Sequence, residues 1–220
     1  MNTVNSAGST YHHGHLREEL VRIGVELAAE GGPEAIGIRE ASRRAGVSPA
    51  AAYRHFAGQG ELREAVRAVA VERLAEHVAS DAAVLPPGAG PRERLASLGC
   101  AYIGFALAEP QLFRCLTGGF VPAQGGTVAP DGAGDPFDRL LRDVARATGR
   151  PDARGEEQLA DAVALLAAAH GFATLAVGGL LRGTPPERLA ALRERTLAVA
   201  IAGLVAAGSA EVGDGVDREV

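Results

Sequence analysis

The stretch GIREASRRAGVSPAAAYRHF, residues 37–56, decides the fold of this chain. Its first half has apolar residues at helical spacing, and Gly46 then allows the left-handed backbone that a tight turn between helices requires. Ser48 is placed to cap a second helix whose first position is Pro49, a residue that suits the first helical turn. The stretch therefore predicts a helix, a tight turn and a capped second helix, which together form a helix-turn-helix.

Helical periodicity continues on both sides of this stretch. Upstream, apolar residues spaced by four, three and four positions predict a helix that Gly31-Gly32-Pro33 ends. These apolar residues are Leu16, Leu20, Ile23 and Leu27. Downstream, a long helix is expected from about Glu61 to Ser80. Residues 11–75 are therefore predicted to form a domain of three helices plus the start of a linking fourth.

The rest of the chain is also predicted to be helical. The Pro- and Gly-rich residues 85–91 mark a boundary, and a second domain is predicted over residues 92–208. No segment alternates convincingly between apolar and polar residues, so no strand is predicted. The fold class is therefore all-α. Helices are expected at residues 92–108, 110–116, 136–148, 156–181 and 186–207, with a loop at 118–134 and a polar tail at 213–220.

The region around the helix-turn-helix resembles the TetR family of transcriptional regulators. The matching elements are Glu30-Gly31-Gly32, residues 37–56, Glu61-Leu62, and a Tyr11–Arg17 segment similar to the lead-in of one branch of the family. Residues 166–171 resemble a Trp-x-x-x-His-Gly signature of some family C-terminal domains, with Leu166 in place of Trp. The resemblance implies a ligand-responsive repressor that binds a palindromic operator as a homodimer, with the last two helices of each subunit forming a four-helix interface.

The resemblance also indicates which residues would contact double-stranded DNA. The second helix of the motif would face the major groove, where Ala50 and Ala51 can touch thymine methyl groups. The predicted DNA-binding residues are His12, His13, Arg17, Gly37, Arg39, Arg43, Arg44, Ser48, Pro49, Ala50, Ala51, Tyr53, Arg54 and His55. Gly37 stands where the family often has Thr or Ser. The alternative to DNA contact for Arg43 and Arg44 is that they lie on a solvated helix face. The alternative for Tyr53 is that it lies in the core.

The charge of this region is not basic overall. The chain has a net charge of −5, and residues 1–64 hold seven Arg against eight Asp and Glu. All 22 basic residues of the chain are Arg. A DNA-binding face must therefore be basic locally, and non-specific binding, which scales with the number of phosphates neutralised, should be weak.

Other classes of protein are disfavoured by the sequence. Nucleotide-binding, serine-hydrolase and zinc-protease motifs are absent, so neither an enzyme nor a cofactor is expected. Cys100 and Cys115 lie fifteen positions apart, which indicates neither a disulfide framework nor a zinc site. A metal site at His12, His13 and His15 lacks further ligands at suitable spacing, so an N-terminal arm lying along DNA is the favoured interpretation.

The expected location is the cytoplasm, without membrane attachment. The N-terminus lacks the charged and apolar regions of a signal peptide, and free cysteines fit a reducing compartment. Residues 162–181 are apolar apart from His170 and Thr174, but they are rich in Ala and Gly, which favours a buried interface helix over a membrane span. A helical interaction protein without specific DNA binding is the alternative function, and an activator remains open.

The second domain is the expected site of a small effector. Its aromatic residues and cysteines are either plain core or the lining of a mainly apolar pocket, namely Cys100, Tyr102, Phe105, Phe113, Cys115, His170 and Phe172. Asp161 and His170 are nine residues apart, about 900° of helical rotation, and so lie on opposite faces. His170 is therefore the predicted polar anchor for a small apolar or weakly polar ligand, unless these helices are merely structural.

Overall fold

The computed structural model describes residues 15–117, 136–150 and 156–216, and the regular structure in these ranges is entirely helical. A short 3-10 helix, Pro33–Ala35, accompanies the α-helices. In chain order the α-helices of the described ranges are α1 (Leu16–Gly31), α2 (Ile38–Arg44), α3 (Pro49–Tyr53), α4 (Gln59–Ala83), α5 (Pro91–Ala108), α6 (Pro110–Thr117), α7 (Pro136–Ala147), α8 (Glu156–Val177) and α9 (Pro186–Val216). The predicted all-α class is confirmed.

Helices α1 to α4 pack around one apolar core. α1 lies against α2, α3 and α4, and α2 lies against α3. The side chains that fill this core are almost fully buried, and the largest are Leu20, Ile23, Ile36, Phe56 and Leu62. α1 and α4 approach closely at Gly24, where a β-carbon would lie 2.6 Å from Cγ2 of Val66. Three short helices are thereby fixed to the first turns of the long helix α4.

Helix α5 is the centre of the C-terminal domain. It packs against α4, α6, α7, α8 and α9, and Leu95, Ile103 and Phe105 on it are fully buried. α9 crosses α5 closely at Gly99, where a β-carbon would lie 2.6 Å from Cδ2 of Leu197. α8 and α9 also pack against each other, so this domain is a layer of long helices with α5 at its core.

Two helix ends differ clearly from the sequence prediction. α8 ends at Val177 rather than near residue 181, because Gly178 and Gly179 begin a turn that the backbone bond from Leu181 N–H to the carbonyl of Leu175 closes at 2.9 Å. α9 continues to Val216, into the predicted polar tail, since isolated glycines weaken a helix without stopping it. The predicted loop at residues 118–134 lies outside the described residues.

Helix α8 is long and apolar enough to cross a membrane by length and composition, with a mean hydropathy of 1.6 in its most apolar window. Core helices of soluble proteins satisfy the same criterion, and α8 packs against α5, α7 and α9 in the fold. These contacts are those of a packed helix in a globular domain, so α8 does not indicate a membrane protein.

Candidate nucleic-acid interface

The turn between α2 and α3 has the geometry that the sequence predicts. Gly46 has a φ of +68°, and the backbone N–H of Val47 donates to the carbonyl of Ser42 at 3.0 Å. This bond closes a Schellman motif at the end of α2, in which a glycine adopts the left-handed conformation. Ser48 then caps α3, because its Oγ accepts a hydrogen bond from the N–H of Ala51 at 3.2 Å. The start of α3 is therefore fixed by both the turn and the cap.

Helix α3 has one buried face and one exposed face. Ala52 and Phe56 are each 1% exposed and anchor α3 and the turn after it in the core. The opposite face carries Pro49, Ala50, Tyr53 and Arg54, all exposed to solvent. The Tyr53 side chain is 50% exposed, so the core alternative for this residue is wrong. His55 and Ala51 are half-buried at the edges of the exposed face.

Two arginines near α3 have free guanidinium groups. Arg39, in the first turn of α2, and Arg54, just after α3, are exposed, and neither guanidinium has a hydrogen bond or an ion pair within the described part of the chain. Arg43 differs, because its Nη2 lies 2.7 Å from Oε1 of Glu40 on the same helix. Free guanidinium groups at this surface are available for phosphate or base contacts without first losing an intramolecular partner.

Arg44 joins α2 to α1 through carboxylates. Its two terminal nitrogens donate to the two carboxylate oxygens of Glu30, at 2.7 Å each, and its Nε donates to Glu40 at 3.0 Å. Hydrogen bonds from Arg43 and Arg44 hold the pKa of Glu40 well below its ordinary value, at about 2, and Arg44 also lowers the pKa of Glu30. Bidentate pairing fixes the geometry of a guanidinium, so Arg44 orients α2 on α1. The sequence analysis had not predicted that either glutamate pairs with Arg44.

The edges of the interface are formed by the beginnings of α1 and α2. The guanidinium carbon of Arg17 lies 4.9 Å from the centroid of the Phe56 ring, which places Arg17 beside the end of α3. Gly37 precedes α2 in an extended conformation, and no side chain caps this helix. The amide of Gln59, at the start of α4, donates to the Ile36 carbonyl at 2.8 Å. His12 and His13 lie outside the described residues.

In the C-terminal domain, three of the seven predicted pocket residues form a cluster. The Tyr102 hydroxyl and Nδ1 of His170 lie 2.9 Å apart within a hydrogen bond. The Phe113 ring lies 5.2 Å from the His170 ring and 5.7 Å from the Tyr102 ring, measured between centroids. Burial raises the pKa of Tyr102 to about 12 and lowers the pKa of His170, so both groups are neutral at pH 7. The cluster joins α5, α6 and α8.

The other predicted pocket residues are not part of this cluster. Phe105 is buried on another side of α5, where its ring meets that of His77 edge-on at 6.2 Å. Cys115 and Phe172 are buried, and Cys100 is half-buried. Two surface grooves, of about 370 and 670 Å³, are present among the described residues, and neither is lined by any of the seven. For Phe105 and Phe172, packing in the core accounts for their position.

Two ion pairs connect the C-terminal domain to the helix-turn-helix domain. Nη2 of Arg114, on α6, donates to Glu34 in the 3-10 helix at 2.9 Å. Nη1 of Arg73, on α4, donates to Glu109, between α5 and α6, at 2.6 Å. α6 also packs against α1 and α4, and it carries Phe113 of the aromatic cluster. α6 therefore contacts both the His170 cluster and the first helices of the chain.

Helix α3 is capped at its start, exposes Tyr53 and Arg54, and is held on the core by α2. This arrangement defines a helix-turn-helix DNA-binding protein. A family model described as bacterial regulatory proteins of the tetR family matches residues 20–66. A second model, described as the tetracyclin repressor-like C-terminal domain, matches residues 95–200. The chain belongs to the TetR family of transcriptional regulators.

Solved structures share the fold of this chain. The fold is similar to that of a protein of unknown function from Rhodococcus sp. RHA1, with 27% identity, a TM-score of 0.64, and coverage of 90% of this chain and 98% of that chain. It is also similar in fold to a tetR-family transcriptional regulator from Streptomyces coelicolor, with 22% identity, a TM-score of 0.55, and coverage of 93% and 96%. No curated protein matches the chain in sequence.

Proposed function

We propose that this regulator is a ligand-responsive repressor that binds a palindromic operator as a homodimer. The observation that carries the proposal is the exposed face of α3, where Tyr53 and Arg54 project from a helix fixed by the Ser48 cap. Such a helix can lie in the major groove, with its N-terminal end toward the bases. Two copies related by a two-fold axis would require two half-sites related by the same symmetry.

The proposed DNA contacts divide into three groups. Arg39 and Arg54 bind phosphate or bases through free guanidinium groups, while Tyr53 donates its hydroxyl to phosphate. The short residues at the start of α3, namely Pro49, Ala50 and Ala51, approach the bases closely. Arg44 supports the interface by orienting α2, and Arg43 contacts phosphate only if it leaves Glu40. Contacts at the edges of the interface are proposed for the remaining members of the predicted set, namely His12, His13, Arg17, Gly37, Ser48 and His55.

DNA binding is tested with the full chain and the DNA upstream of its own coding sequence. Fluorescence anisotropy with wild-type protein is expected to show saturable binding to one segment, and Tyr53→Ala or Arg54→Ala should weaken it by roughly 1–3 kcal/mol, about 5-fold to 150-fold. Arg22→Gln is the matched control, since Arg22 is an exposed arginine of α1 that pairs with Glu19. Equal affinity of all four proteins would show that α3 does not face DNA.

The proposed dimer forms through the outer faces of α8 and α9. These faces expose apolar side chains that the subunit itself does not cover, namely Leu159, Val163 and Leu175 on α8 and Leu192 and Val199 on α9. Small residues lie between them, so that helices of a second subunit can approach closely. Sedimentation of the protein at micromolar concentration is expected to give twice the chain mass of 22.5 kDa, and a monomer would exclude this arrangement.

The proposed effector is a small apolar or weakly polar molecule that binds beside His170. Tyr102, Phe113 and His170 offer aromatic surface and a neutral hydrogen-bonding group, which suits such a ligand. The ligand must bind the DNA-free state more tightly than the DNA-bound state, because equal affinities shift no equilibrium. Thermal shift assays with a panel of apolar compounds and a panel of charged metabolites distinguish an apolar from a charged effector. Stabilisation by charged compounds alone would contradict an apolar effector at this cluster.

The proposed organisation assigns DNA binding to residues 11–75 and dimerisation and sensing to residues 92–208. The protein acts in the cytoplasm without enzymatic activity of its own. The Tyr11–Arg17 segment and the His170-Gly171 pair support the proposal that it belongs to the branch of the family with a Tyr-His-His-Gly lead-in and a His-Gly type C-terminal domain.

A further inference from the structure

One buried carboxylate of the C-terminal domain is shared by three arginines. Asp143, on α7, has a side chain that is only 3% exposed. Nε of Arg94 lies 3.5 Å from its Oδ1, Nη1 of Arg146 lies 3.4 Å from the same oxygen, and Nε of Arg139 lies 3.9 Å from Oδ2. No other carboxylate in the described part of the chain has three arginine partners. The cluster therefore carries two positive charges more than its single aspartate neutralises.

The arginines are also poorly hydrogen-bonded for an ion-pair cluster. Only Arg146 reaches Asp143 within a hydrogen bond, at 3.4 Å, whereas Arg150 reaches Asp161 at 2.7 Å. Nε of Arg94 is buried and has no hydrogen-bond partner, although its Nη1 donates to the carbonyl of Ala89. A buried donor without a partner is costly, and native proteins rarely leave one. The arrangement leaves guanidinium hydrogen-bonding capacity available to a further acceptor.

A groove lies next to this cluster along the chain. Its volume is about 370 Å³, and Gly90, Pro91, Arg92, Glu93, Ala147 and Val205 line it. Gly90 adjoins Ala89, the partner of Arg94, and Ala147 follows Arg146 directly. The carboxylate of Glu93 accepts a hydrogen bond from the N–H of Gly90 at 2.7 Å, so it already has a partner at this edge. The groove thus lies one residue along the chain from Arg94 and from Arg146, and its lining includes Pro91, Ala147 and Val205 for apolar contacts.

We infer that Arg94, Arg139 and Arg146 form a binding site for the phosphoryl group of a small organic phosphate, whose apolar part lies in the neighbouring groove. A phosphoryl group carries up to two negative charges, which matches the surplus of the cluster, and its oxygens match the fork of a guanidinium. Asp143 holds the three arginines together when the site is empty. This site is separate from the His170 cluster, and it goes beyond the proposed response to an apolar effector.

The test measures phosphate binding to the full-length protein. Thermal shift and calorimetry with inorganic phosphate, butyl phosphate and butyrate at matched ionic strength should give saturable binding in the order butyl phosphate, phosphate, butyrate. Arg139→Gln and Arg146→Gln should each weaken phosphate binding roughly tenfold, because each removes one charge-assisted hydrogen-bonding group. The matched control is Arg142→Gln, on the same helix and exposed, since Arg142 makes no ion pair with Asp143. An equal loss in the control would show a response to net charge alone and would overturn the site.

A second variant separates ligand binding from a structural role. Asp143→Asn removes the carboxylate and leaves the arginines uncompensated, so the melting temperature without phosphate should fall. Phosphate should then bind more tightly than to wild type and restore part of the lost stability. A variant whose stability does not respond to phosphate would refute the inference, as would absence of saturable phosphate binding by the wild type. A loss of duplex affinity in Arg139→Gln with unchanged phosphate binding would instead assign the arginines to DNA.

Discussion

Substitutions at Ser48 separate the stability of α3 from its contact with DNA. Ser48 is exposed, and its one described side-chain hydrogen bond is the cap to the N–H of Ala51 at 3.2 Å. Ser48→Ala removes this bond and should lower the free energy of unfolding by about 1 kcal/mol, the usual cost of losing such a cap. With a urea m-value of about 2 kcal/mol/M, the midpoint of unfolding should fall by about 0.5 M.

Ser48→Asp has the opposite combination of effects. Aspartate caps a helix as well as serine does, and its charge interacts favourably with the N-terminus of α3, so stability should be retained or should rise by about 0.3–1 kcal/mol. The same carboxylate would face the phosphates if α3 lies in the major groove, and operator affinity should fall by about tenfold or more. Ser48→Thr is the control and should retain both properties.

Urea titration followed by circular dichroism gives the stabilities, and fluorescence anisotropy with operator DNA gives the affinities. Unchanged stability of Ser48→Ala would show that the cap does not form in solution. Full operator affinity of Ser48→Asp would show that the N-terminus of α3 points away from DNA, and the proposed docking would be wrong.

Three further predictions concern other parts of the molecule. Gly37→Ser should stabilise α2 by a few tenths of a kcal/mol and tighten operator binding, because a β-carbon at this position meets open space and serine supplies the missing cap. Weaker operator binding by a well-folded variant would contradict this prediction. The free energy of unfolding should fall as the pH drops below 6.5, because burial lowers the pKa of His170 in the folded state and the unfolded chain then binds more protons. His170→Gln should remove this part of the pH dependence, as measured by urea titration from pH 7.5 to 5. Val199→Glu should yield a monomer in sedimentation, because this 55% exposed side chain lies on the proposed dimer face. The control Val84→Glu, at an exposed position outside α8 and α9, should leave the dimer intact. A dimeric Val199→Glu protein would place the interface elsewhere.

The helix-turn-helix was predictable because its determinants are local. Gly46, Ser48 and Pro49 act on their immediate backbone, and the structure forms the turn and the cap at these residues. Helix ends were less accurate, since the end of α8 depends on a glycine turn and α9 tolerates its glycines.

The partners of the site residues could not be predicted, because they come from distant parts of the chain. Glu30 meets Arg44 across fourteen positions, and Tyr102 meets His170 across 68. The seven predicted pocket residues were chosen by residue type, and type alone does not distinguish Phe113, which meets His170, from Phe105, which packs on another side of α5.

The ion pairs of Arg114 with Glu34 and of Arg73 with Glu109 have a consequence for how operator binding should be measured. All four side chains are at least one-third exposed, so added salt screens both pairs and loosens the hold of the C-terminal domain on the helix-turn-helix. Salt also weakens binding directly by competing for the DNA phosphates. A plot of affinity against salt concentration therefore combines ion release from DNA with a change inside the protein. Read as a count of phosphate contacts, its slope would mix the two effects, and a variant lacking both pairs would isolate ion release from the DNA.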